Sequence, residues 1–153
     1  LDIVEPVPAN IAATKEVYKD YPNVFIHEFA VWKEPCTLQM HSLGVCSYVE
    51  GMAAPVFSLG YDPKWEDLVE VEAVTIDHFD DGSIDMLDLD MEGSEWYALE
   101  KLVSRPRIIV IETGPNRNHP FMKEIDEWAE ENGYIEFAHY ETNSWFKLPF
   151  KGA

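Results

Sequence analysis

The stretch at residues 84–95, IDMLDLDMEGSE, constrains the fold more than any other part of the chain. Alternation along residues 84–90 predicts a strand with Leu87, Leu89 and Met91 on one face and Ile84, Met86, Asp88 and Asp90 on the other. Met91-Glu92-Gly93 then predicts an abrupt handover to a helix from Ser94 to about Ser104, with Trp96, Leu99, Leu102 and Val103 at helical spacing. In open α/β sheets ligands bind just outside the carboxyl ends of the strands, which puts Asp90 and Glu92 where chemistry is done. Carboxylates late in an apolar strand are costly to bury unpaired. With Glu92 and Glu95 close behind, a functional role for Asp90 is a stronger reading than a helix cap.

The remaining segments fit the same class. Residues 8–20 predict a helix opened by Pro8 and closed at Tyr21-Pro22-Asn23, with Ile11, Val17 and Tyr18 available for burial. Residues 23–31 alternate as a strand, and 38–48 could hold a strand or hairpin arm. Glycines and prolines then mark a long irregular excursion to about Asp67, of the length used for active-site lids. Residues 69–79 alternate again and end at Asp80-Asp81-Gly82. The run RIIVIE, ending in Glu112, predicts a strand buried on both faces of a parallel sheet. A helix over 119–132 with Phe121, Ile125 and Trp128 inward precedes strands over 134–141 and 144–150, an antiparallel pair joined through Thr142-Asn143 at the sheet edge. The alternation of strand and helix predicts a single α/β domain over residues 1–153.

Charge narrows the function. Against 29 Asp and Glu the chain carries 11 Lys and Arg, a formal net charge of -18, which repels phosphate backbones and argues against nucleic-acid binding. Between Asp62 and Glu100 the only Lys or Arg is Lys64, so a cationic ligand is favoured there. No apolar run reaches the ~18 residues a membrane span needs, and no signal-peptide pattern opens the chain, so the expected setting is cytoplasmic with no membrane partner. Cys36 and Cys46 lack metal-type spacing, and the five histidines form no paired motif, so no metal site is expected.

Three landmarks together resemble the FkbM-type methyltransferases, a branch of the S-adenosylmethionine-dependent fold: Glu5-Pro6 before a helix, a strand ending in Ala30-Val31, and IDMLDLDMEGSE with the later IIVIE. The resemblance implies a Rossmann-like class I methyltransferase sheet, mostly parallel, with a C-terminal antiparallel strand pair. It implies that Glu5, with Pro6, holds the cofactor ribose hydroxyls, that Ala30 and Val31 lie near the adenine, and that Asp90 and Glu92 sit beside the reacting methyl group. Asp90, Glu92 or Glu112 could act as base toward a hydroxyl of a small molecule or glycan. Asp88 stands where the family usually has Lys, which inverts a charge near the site.

The family's first strand and glycine-rich turn have no counterpart after Leu1, so the chain reads as a member missing its first strand and helix. Weak or absent binding of S-adenosylmethionine is the corresponding expectation. Closing the resulting gap calls for direct pairing of residues 1–5 with 84–90, or for a strand from a second copy in a homodimer. Two rival readings accompany this one. Asp88 and Asp90 after an apolar strand suit a magnesium-dependent phosphotransferase, and a domain without its glycine loop suits a non-catalytic binding or assembly module.

Overall fold

The computed structural model describes residues 1–44, 47–52 and 68–149. Contacts gather into two compact units, residues 1–75 and 76–153.

In the first unit β1 (Asp2–Val4) pairs in parallel with β2 (Phe25–His27), setting Val4 opposite His27. Between them lies α1 (Pro8–Tyr18). Pro8 suits the first turn because its missing amide needs no partner there. Glu5 satisfies the groups around it: one carboxylate oxygen accepts the Val7 N–H at 2.8 Å and the other accepts the Asn10 side-chain amide at 3.2 Å. Ile11 is buried while Val17 is 65% exposed, so the apolar face of α1 is narrower than its periodicity predicts.

The strand predicted over 23–31 divides at Glu28-Phe29, where Glu28 is drawn outward into an ion pair with Lys15. Beyond the break, β3 (Ala30–Val31) joins a different sheet with β4 (Cys36–His41), β5 (Tyr48–Val49) and β6 (Leu68–Val74). The order is β3-β6-β4-β5, parallel between β3 and β6 and antiparallel elsewhere. Exposed Glu70 and Glu72 alternate with buried Val71 and Ala73 along β6. That pattern belongs to a sheet with one wet face, which is why antiparallel pairing replaces the parallel pairing expected. Residues 53–67 of the expected lid, and Cys46, lie outside the described residues.

The second unit contains β7 (Met86–Leu89), α2 (Glu95–Leu99), β8 (Ile108–Glu112), α3 (Met122–Glu131), β9 (Ile135–Tyr140) and β10 (Asn143–Lys147). Its sheet is ordered β7-β8-β10-β9. β7 and β8 are parallel, with Leu89 opposite Ile111, and β10 is antiparallel to both its neighbours. The apolar run of β8 buries Ile109, Val110 and Ile111 between two flanking strands, as its sequence predicts. Each such side chain contributes roughly 1.5–3 kcal/mol. In α3, Ile125 and Ala129 are buried, and Tyr97 of α2 meets Phe121 with ring centroids 5.3 Å apart.

α2 stops at Leu99, short of the predicted Ser104, because the amides of Val103 and Ser104 donate to one oxygen of Asp80, each at 2.8 Å. Asp80 itself follows a 3-10 turn over Ile76–His78, where a continuous strand to Phe79 is expected from the sequence.

The single, mostly parallel sheet is therefore corrected to three sheets among the described residues, one a parallel pair and two of mixed direction. Within its own unit β1 pairs with β2, and within its own β7 pairs with β8. No helix among them is long and apolar enough to cross a membrane.

Candidate functional site

β7 and β8 run side by side in the same direction, so the register that sets Leu89 opposite Ile111 brings Asp90 beside Glu112. A hydrogen bond joins their two carboxyls, which requires a proton on one of them. Burial pushes Glu112 up to about 7, and the charges of Asp90 and Glu92 add to the shift. Although Asp90 as a residue is exposed, desolvation of its carboxyl raises it too, opposed by the bond from Glu112 and reinforced by the charge of Glu95. The shared proton therefore resides mainly on Glu112, with Asp90 accepting.

The loop after β7 departs furthest from ordinary backbone. Glu92 has φ 52° and Gly93 φ 100°, both left-handed. A glycine takes that conformation freely, whereas a glutamate held there stores about 1–3 kcal/mol. Ser94 closes the turn, its hydroxyl donating to the Met91 carbonyl at 2.9 Å. Glu92 is only 9% exposed. Burial, then the charges of Asp90 and Glu95, push its carboxyl up to about 7. Among the described residues no hydrogen bond to that carboxyl offsets the cost.

Glu95 is fully buried at the start of α2. One of its oxygens accepts the amides of Met91 at 2.7 Å and Gly93 at 3.3 Å, and the other meets Nε2 of His119 at 2.6 Å. Asp90, Glu95 and Glu112 each bring an oxygen within 4.8 Å of the others, a spacing able to hold a divalent cation. The prior engagement of both Glu95 oxygens makes it a poorly available ligand.

His119 comes from the loop after β8. That loop turns at Gly114, φ 73°, where a Cβ would stand 2.3 Å from the Asn118 side-chain oxygen.

The structure thus gathers Asp90, Glu92 and Glu112, the three proposed catalytic carboxylates, within the 76–153 unit. Glu5, Pro6, Ala30 and Val31 belong to the 1–75 unit. There Glu5 follows β1 and caps α1, while Ala30 is buried and Val31 half-buried in β3. Asp88 is exposed and stands outside the close carboxylate group. Glu95 and His119 are the participants that sequence reasoning missed. Glu95 was visible only as another acid of the motif, and its partner lies 24 residues away, so no local pattern links them.

The sequence model of the FkbM methyltransferase domain matches residues 2–136, most of the chain. The chain belongs to the FkbM methyltransferase family. No curated protein and no solved structure matched the chain in these comparisons. Membership in the FkbM family points away from a phosphotransferase built on Asp88 and Asp90.

Proposed function

We propose that the protein is an S-adenosylmethionine-dependent methyltransferase that methylates a hydroxyl oxygen of a small molecule or glycan. The observation that carries this reading is the trio Asp90, Glu92 and Glu112 at the carboxyl ends of two adjacent parallel strands in an FkbM chain. Bound S-adenosylmethionine would supply an electrophilic methyl group on a sulfonium. The residues present fit such a molecule. Each oxygen of Glu5 accepts one bond from the chain, leaving acceptor capacity for ribose hydroxyls. Taken by itself, the clustered negative charge of the second unit suits a cation such as a sulfonium.

The carboxyls differ in their tasks. Glu92, raised to about 7, is poised to take a proton from an attacking hydroxyl near neutral pH, while Glu112, also raised to about 7, holds the proton it shares with Asp90. Asp90, accepting from Glu112, orients that carboxyl and keeps negative charge in the site. Calorimetry with S-adenosylmethionine, followed by labelled-methyl transfer to a panel of polyhydroxy acceptors, tests the proposal. Cofactor binding with transfer to oxygen is expected; neither binding nor transfer would contradict it.

A further inference from the structure

We propose that Glu95 and His119 form a positioning pair that fixes the Asp90–Ser94 loop and thereby sets where the Glu92 carboxyl stands. Both residues are buried, Glu95 completely, so neither can touch an acceptor. Their bonds run to the backbone of the site. A single oxygen of Glu95 takes the amides on either side of Glu92, those of Met91 and Gly93. Pinning both amides to one atom tightens the turn between them, and the residue at its apex is the left-handed Glu92.

His119 completes the device from the other loop. Its Nδ1 accepts the Phe121 amide at 3.0 Å, which leaves the ring proton on Nε2, pointed at the second Glu95 oxygen. The ring is neutral in this arrangement, because a proton on Nδ1 would oppose the Phe121 N–H. Glu95 thereby has three N–H donors, enough to keep a fully buried carboxylate satisfied. The pair joins the loop after β7 to the loop after β8, which carry Glu92 and follow Glu112 respectively.

The role assigned to the pair rests on the methyltransferase reading of Glu92, but its test does not need turnover. Carboxyl-carbon NMR on the 153-residue chain follows the Glu92 titration directly. In the unaltered protein the midpoint is expected near 7. His119→Phe keeps a ring but removes the donor, and the midpoint should shift down toward the ordinary 4.5 as the loop loosens. His119→Gln, whose amide can again donate to Glu95, should restore it. A purely structural histidine would change the melting temperature and leave that midpoint in place; an unshifted Glu92 in folded His119→Phe overturns the proposal. Should His119→Phe fail to fold, hydrogen exchange in the unaltered chain decides. The amides of Met91 and Gly93 should exchange at least ~100-fold slower than in an open peptide, and exchange at the open-peptide rate overturns the proposal. Calorimetry with S-adenosylmethionine on the same samples separates the two claims, since a chain that binds none yet shows the shift keeps the pair and loses the methyltransferase reading.

Discussion

Asp80 and Glu92 belong to the same unit and are buried to a similar degree, 4% and 9% exposed, yet their surroundings oppose each other. Burial alone would raise Asp80, but the hydroxyl and amide of Ser104, with the amides of Gly82 and Val103, hold it below its ordinary value. Glu92 receives no such compensation, and like charges sit beside it. The same burial therefore yields a permanently charged anchor in one place and a titrating group in the other. What separates a charged carboxylate from a titrating one here is the supply of donors. Glu95 falls on the satisfied side of that division although it lies inside the site.

Substitutions can break this contrast from either end. The largest expected effect is on chemistry: by unsettling the Glu112 carboxyl, Asp90→Asn should lower methyl transfer by about 100-fold while leaving the circular dichroism spectrum intact. Next is stability. Asp80→Ala strands the part-buried amide of Val103 and the buried amide and hydroxyl of Ser104. It should cost about 3 kcal/mol or more in urea unfolding. A loss under about 1 kcal/mol would mean that Asp80 is not the anchor described.

Glu92→Gly should move the opposite way. It relieves a left-handed glutamate and removes an uncompensated buried acid, so stability should rise by about 1 kcal/mol while methyl transfer falls. A destabilised, fully active variant would show that the strain was misread.

Acid dependence sharpens the comparison with the smallest signal. Glu92 and Glu112 titrate near 4.5 when unfolded and about 7 when folded, so the folded state binds more protons between those values. Their stabilising contribution is complete below about pH 4.5 and is lost as pH rises through 7. Asp80 has the reverse sign: its contribution is present above its ordinary 3.8 and is lost as pH falls through its lowered folded value. The Tm should therefore drop between pH 5 and pH 7.5, and the double variant Glu92→Gln, Glu112→Gln should flatten that slope.

Much of this was legible in the sequence because it is written locally. Alternation located β7, the apolar run located β8, and the acids closing each strand became neighbours through one parallel register. Where elements ended was set by bonds that no periodicity records. α2 stops early because Asp80 captures the amides beyond it, and the 23–31 strand splits where Lys15 draws Glu28 out. The sheet order was the furthest from reach, since alternation along β6 marks one wet face without naming its partner strands. His119 was invisible for the same reason: its meaning lies wholly in a contact across 24 residues.

The central claim is that the uncompensated carboxyls do the chemistry and the compensated one holds the fold. Labelled-methyl transfer at pH 7.5, measured per folded molecule for Glu92→Gln and Asp80→Asn side by side, tests it most directly. The account predicts a folded Glu92→Gln with transfer reduced about 100-fold or more, and a less stable Asp80→Asn whose folded fraction turns over normally. Normal transfer by Glu92→Gln, or lost transfer by a fully folded Asp80→Asn, would contradict it.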